Sequence, residues 1–356
     1  MKQPTPQTKT PQTKTPQTKN KKQHKTTMKT KQKTMKKNNG KGNKKMGGKK
    51  HKNTTTKSIK KKKQQFTTPS MDSMITENCS PFINHVYPTI VPSTCFTDSS
   101  LFQLRDMWNT RHPDVTIDHN NGNDIWNSLR ENMKKTCNRE SCWLKQGFMD
   151  KQVSDDLLET HFAPNAPKKW KKNPREWLSS IEITDVMKQY EKAFPDFEFI
   201  GPSPINFEQR YKDDNTCVWE ELCHFQLANY IRQSKHKIGI IFNTDPDYKD
   251  GSHWIALFID IKKKLIYYFD SNGNQEPGEV DDFIKKVTKQ GKELGFSFTR
   301  DSNHPFRHQE EDGECGMYCL YFIIELLTNN KEVEYFKNNK IADHCMRKMR
   351  KVYFNM

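Results

Sequence analysis

The apolar positions of this chain fall into short periodic blocks separated by polar stretches. Leu101, Leu104, Met107 and Trp108 follow the polar cluster Thr97-Asp98-Ser99-Ser100, which predicts a capped helix. Ile125, Trp126, Leu129 and Met133 repeat the helical spacing. A further helix is expected over Ile181–Tyr190, ending before Phe194-Pro195. Lys237-Ile238-Gly239-Ile240-Ile241-Phe242 reads as a short buried strand. Trp254–Ile259 and Leu265–Phe269 read as a hairpin around Lys262-Lys263-Lys264. A turn centred between Ile261 and Lys262 would set His253 directly opposite Asp270, with Cβ atoms roughly 4.5–5.5 Å apart. A helix over about 278–294, a strand at Phe296-Ser297-Phe298-Thr299 and an apolar helix from Cys315 complete the pattern. Strands and helices mix without regular βαβ alternation, which predicts an α+β fold.

Charge divides the chain further. The net charge is +17, yet residues 1–65 hold 23 lysines and neither arginine nor acid. The remainder is therefore slightly acidic. The Lys-rich part repeats Pro-Gln-Thr-Lys-Thr from Pro6 and Pro11 and is nearly devoid of apolar residues, so burial cannot offset its ordering entropy. The expected organisation is a disordered tail over 1–68, a mainly helical accessory region over 69–165 and a catalytic domain over 166–356. Nine cysteines at scattered spacing, with no secretory leader, fit reduced thiols in a cytosolic or nuclear protein. The longest apolar runs fall far short of a membrane span, and no membrane partner is expected.

The chemistry concentrates between His253 and Cys315. A histidine and a carboxylate meet at one end of the hairpin. A thiol opens a buried helix, and Gln309 precedes it by six positions. Thiols at helix starts beside an imidazolium ionise readily, and only the thiolate attacks. These residue types supply a base, an orienter, an oxyanion donor and a nucleophile. Each alone has a plain structural alternative: Cys315 a core cysteine, His253 a strand-end residue, Asp270 the start of the turn Ser271-Asn272-Gly273. Their order and spacing together favour catalysis. Cys319, one turn further, reads as an inert core thiol.

His253-Trp254, Asp270-Ser271 and Gln309-x5-Cys315-Gly316 resemble the signature of the Ulp1-type (C48) cysteine peptidases. These are related to the adenovirus proteinase and to maturation proteases of large DNA viruses. The likeness covers roughly residues 170–356, and Glu314 stands where many cellular members have Asp. It implies a papain-like core with a mixed sheet and a central helix beginning at the nucleophile. Cys315 would be the nucleophile, His253 the general base and Asp270 its orienter, with the Gln309 amide and the Cys315 N–H forming the oxyanion hole. Trp254 and Trp177 would border a narrow tunnel that only glycine fits, which implies cleavage after small residues, typically at Gly-Gly-Xaa sites. No cofactor is implied.

The expected function is a cysteine endopeptidase maturing virion core or capsid precursors, placed in the virion and host cytoplasm. The alternatives are a SUMO- or ubiquitin-like-modifier isopeptidase, with a nuclear placement also open, and a nucleic-acid-binding virion protein with a degenerate protease fold. The partners expected are protein substrates with Gly-Gly-like sites, and DNA or RNA held by the lysine tail in a salt-dependent way. Cleavage after Gly48, in the only Gly-Gly of the chain, would shed that tail. Cys137/Cys142 and Cys217/Cys223-His224 lack the spacing of zinc knuckles, so no metal site is expected. His304 and His308 are expected to be solvated loop residues. Asp343-His344-Cys345 is expected to make a poor dyad, because adjacent helical residues diverge.

Overall fold

A computed structural model describes residues 74–86 and 94–356. The lysine-rich segment and Gly47-Gly48 lie outside the described residues. The described residues begin with α1 (Pro81–Val86), α2 (Asp98–Arg111), α3 (Gly122–Met133), α4 (Glu140–Trp143) and α5 (Lys151–His161). Thr97, Asn121 and Asp150 cap α2, α3 and α5 with their side-chain oxygens, as residues of these types do where helical N–H groups lack partners. Leu101, Leu104, Ile125, Leu129, Trp143 and Leu157 close a core of their own. Buried Glu140 is stitched into it, accepting from the Trp126 indole and, at 2.9 Å, from Cys95 N. Burial pushes its carboxyl above the ordinary range, and these bonds oppose the rise.

The rest is built on one sheet. Helix α6 (Ser180–Ala193) starts at a capping box in which Glu182 accepts from Ser179 N at 2.6 Å. Strands β1 (Phe197–Pro204), β2 (Lys237–Asn243), β3 (Trp254–Asp260), β4 (Leu265–Phe269) and β5 (Thr299–Ser302) lie in that order. The β1–β2 and β4–β5 pairs are parallel, and the central pairs are antiparallel. Short helices α7 (Glu220–Cys223) and α8 (Leu227–Arg232) precede β2, and α9 (Gly278–Glu293) follows β4. Helices α10 (Cys315–Leu327), α11 (Val333–Asn338) and α12 (Asp343–Tyr353) end the chain.

Alternation along β3 explains its uninterrupted apolar run. Trp254, Ala256 and Phe258 face α6, α10 and α12, while Ile255, Leu257 and Ile259 face α9. A sheet covered on both faces needs apolar residues at every position. The fold is α+β, with a mixed five-stranded sheet and a central helix that begins at Cys315. Among the described residues no helix is long and apolar enough to cross a membrane.

Several expectations are corrected. The hairpin pairs Ala256 with Phe269 and Asp260 with Leu265, so its centre lies between Lys262 and Lys263, one residue later than the expected point between Ile261 and Lys262. In this register Asp270 is diagonal to His253 rather than opposite it. The strand expected at 296–299 begins only at Thr299, because Phe296 and Phe298 pack against the α9 core instead. Strand β1 is not among the expected elements, although Phe197 and Phe199 flank Glu198 in strand-like alternation before Gly201-Pro202. Here Gly201 and Pro202 make a register shift within an edge strand, where the missing proline N–H is tolerated, and Gly201 sits at φ +109°. His308 is fully buried, bonded to Phe336 O at 2.9 Å, and burial lowers it to about 4. Three cysteine pairs expected to be reduced are bonded: Cys79–Cys95, Cys137–Cys142 and Cys217–Cys223. Cys137–Cys142 and Cys217–Cys223 are five and six positions apart, but closeness in sequence does not say whether two thiols are bonded. Cys315, Cys319 and Cys345 are free.

Candidate active site

His253 immediately precedes β3, and Asp270 immediately follows β4. Diagonal neighbours at a hairpin's open end remain within reach of long side chains. His253 Nε2 lies 2.6 Å from Asp270 Oδ1. Asp270 is itself held from several sides. Its Oδ1 accepts from Asn272 N at 2.8 Å, and its Oδ2 accepts from Asn274 N at 3.3 Å. Asn303 accepts from Asp270 N at 3.0 Å and donates to Asp270 O at 2.7 Å. The turn requires Gly273: φ is +74°, and a Cβ would stand 2.9 Å from Pro305 O and Arg307 N.

Cys315 is the first residue of α10 and is 2 % exposed. The start of a helix carries partial positive charge and N–H groups the helix itself does not use. Burial alone would lower His253. Hydrogen bonding and charge from Asp270, and then from Cys315, outweigh it and raise His253 to about 10. With Nε2 engaged by Asp270, Nδ1 is the nitrogen left for Cys315. Cys319 is fully buried, and that burial pushes its thiol well up. It is a core group.

Gln309 is buried in the loop before α10. Its Oε1 accepts from the Ser271 hydroxyl at 2.8 Å, and its Nε2 donates to Glu311 O at 2.7 Å. Its backbone N donates to Ser271 O at 2.8 Å. The amide orientation is thus fixed, and one of its two N–H bonds remains for another acceptor. Trp254 is nearly buried, with its indole donating to Leu178 O at 2.9 Å, whereas Trp177 is 40 % exposed. With Asn243, Gly251 and His253 they line a cleft of about 350 Å³. Both rings also border the nucleophile segment. A Cβ on Gly316 would lie 3.3 Å from Trp254 Cδ1, and one on Gly313 would lie 3.5 Å from Trp177 Cδ1.

The structure therefore gathers His253, Asp270 and Cys315, joins Gln309 to the residue after Asp270, and sets both tryptophans on the cleft. Sequence reasoning placed Ser271 and Asn272 only in a motif and a turn, and missed that they and Asn303 hold Gln309 and Asp270 in place. A polar residue after a strand carries no local mark of such a role.

Two other clusters are resolved by their contacts. The ligand atoms of Cys217, Cys223 and His224 lie within 4.8 Å of one another. The bond between the two sulfurs removes the thiolates that a metal would need. His344 and Cys345 do approach, with Nε2 3.5 Å from Sγ, contrary to the expected divergence. Asp343 does not serve them: it turns inward to Glu310 N and Tyr318 Oη.

The profile of the Ulp1 protease family, C-terminal catalytic domain, matches residues 227–356. A protein of Acanthamoeba polyphaga mimivirus named as a thiol protease is 30 % identical over 238 residues, spanning 64 % of this chain and 72 % of that one. The chain belongs to the Ulp1 protease family. It is a cysteine protease, related to those of large DNA viruses. A protein of African swine fever virus named as a SUMO-1 cysteine protease is 27 % identical over 234 residues, 62 % of this chain and 84 % of that one. The crystal structure of an African swine fever virus protease superposes with a TM-score of 0.54 at 20 % identity, covering 79 % of this chain and 97 % of its own.

Proposed function

We propose that this protease cleaves after Gly-Gly by nucleophilic attack of Cys315. The observation that carries the reading is the 2.6 Å contact between His253 Nε2 and Asp270 Oδ1, beside a thiol at the start of α10. Cys315 Sγ adds to the carbonyl carbon of the second glycine while His253 holds the thiol proton. The resulting oxyanion is met by the free Gln309 N–H and the Cys315 backbone N–H. The intermediate collapses to a thioester as His253 delivers its proton to the departing amine. Water, deprotonated by His253, then hydrolyses the thioester and returns the free thiol. Asp270 keeps Nε2 oriented throughout. Trp177 and Trp254 restrict the cleft to residues without a side chain.

Two substrate classes fit this chemistry. The naming of African swine fever relatives as SUMO-1 cysteine proteases supports a folded ubiquitin-like modifier over a virion precursor, and we adopt the modifier reading. Virion precursors remain the second reading, supported by the viral origin of the relatives. The test compares Gly-Gly-Xaa peptide reporters with folded SUMO and ubiquitin carrying the same reporter, using wild type and Cys315→Ala. The expected result is no turnover by Cys315→Ala and higher kcat/KM on a folded modifier. Equal turnover of short peptides favours the precursor reading. Activity in Cys315→Ala removes the nucleophile assignment.

A further inference from the structure

Helix α12 runs alongside the loop that delivers Cys315, and one face of it grips that loop at three levels. Asp343 accepts from Glu310 N at 3.0 Å and from Glu311 N at 3.2 Å. Arg347 reaches Glu311 Oε2 at 3.1 Å. Arg350 donates through Nε to Glu314 Oε2 at 2.9 Å and through Nη2 to Gly313 O at 3.3 Å. Residues four and then three apart share one helical face, so these contacts follow the loop in order toward the nucleophile.

The last level differs from the others in its burial. Arg350 is 2 % exposed and Glu314 1 % exposed, and the guanidinium carbon stands 4.4 Å from the centre of the Trp170 ring. Glu314 Oε1 and Arg350 Nη1 have no hydrogen-bond partner among the described residues. A buried ion pair with unsatisfied atoms is a weak source of stability, and an apolar pair of equal volume often does as well. Its position suggests another use, because both groups it holds belong to the two residues just before Cys315. Gly313 sits at φ +108°, where a Cβ would meet Arg175 O at 2.7 Å. The backbone there turns sharply and has no regular hydrogen-bond ladder to fix it.

We propose that Arg350 is a positioning residue for catalysis: its fork on Glu314 and Gly313 O sets the direction in which the Cys315 Sγ and N–H face the substrate carbonyl. This rests on Cys315 being the nucleophile. Arg350 touches neither substrate nor the reacting atoms. Its effect on rate comes through the geometry of attack and of the oxyanion hole, in which displacements near 1 Å cost roughly a hundredfold.

The test uses full-length Arg350→Met, Arg350→Lys and the double variant Arg350→Met with Glu314→Gln, beside wild type and Cys315→Ala. The double variant removes the unpaired buried carboxylate that would destabilise the single one. The readouts are kcat and KM on a Gly-Gly-Xaa reporter, the rate of Cys315 alkylation by iodoacetamide, and the melting temperature. The expected result is a double variant that melts like wild type with unchanged KM, while kcat and the alkylation rate fall, kcat by about a hundredfold. Arg350→Lys, which keeps the charge and loses the fork, falls likewise. Wild-type kcat in the double variant, beside an inactive Cys315→Ala, overturns the positioning role alone. Full activity in Cys315→Ala overturns the nucleophile assignment and this role with it.

Discussion

His253 sits between two groups that pull its proton in the same direction. Burial favours the neutral ring, but Asp270 and Cys315 more than reverse this and raise it to about 10. The folded-state value lies above the ordinary one of about 6.5. The pairing therefore contributes stability fully below about 6.5, and that stability is lost as pH rises through about 10. Asp270→Asn should remove the main raising influence. The alkaline limb of the kcat/KM profile should move down from near pH 10, and the rate should fall about a hundredfold or more. An unchanged alkaline limb would show that Asp270 does not set the state of His253. At this scale the sequence was informative where chemistry is carried by uncommon residue types in order: His253, Asp270, Gln309 and Cys315. Asn303 and Arg350 left no such mark, and Ser271 was legible only beside Asp270, not in its hold on Gln309. The partners that tie them to the site, Gln309, Asp270 and Glu314, lie 33 or more positions away from Ser271, Asn303 and Arg350, each an ordinary polar residue in its own neighbourhood.

The elements were legible where local physics decides them. Helices α2, α3 and α6 follow from apolar spacing and capping side chains, and β2 to β4 from their uninterrupted runs. The hairpin register was not legible, because Lys262, Lys263 and Lys264 do not say which residue begins the turn. Strand β1 is the one strand not expected, its short alternating run Phe197–Ile200 being followed at once by Gly201-Pro202. The paired strand ends also depend on a tie outside the sheet. Asn303 accepts from Asp270 N and donates to Asp270 O and to Phe306 O, joining the end of β4 to the loop leading toward Gln309. Asn303→Ala removes three bonds at a buried site. Each buried group left unpaired costs about 1–3 kcal/mol. The melting temperature should fall, and kcat should fall further than the loss of folded protein explains. A variant with wild-type melting and kcat would show that other contacts suffice to hold Asp270.

Across the molecule, both faces of the sheet are covered, and the layer containing α6, α10 and α12 carries the catalytic groups. The α+β class could be read from the mixture of elements, and the family from four residues in order. The cysteine pairing could not, since contact between Cys79 and Cys95 depends on how the accessory helices close. That pairing narrows the chemistry to three free thiols: Cys319 is sealed in the core, Cys345 is partly exposed beside His344, and Cys315 opens α10 beside His253. The most direct measurement is brief iodoacetamide labelling at mildly acidic pH, mapped by peptide mass, with residual peptidase activity followed in the same samples. The account predicts that Cys315 is labelled first and that activity falls in proportion, with Cys319 untouched and Cys345 slow. Labelling of Cys345 ahead of Cys315, or full activity after Cys315 is modified, would contradict it.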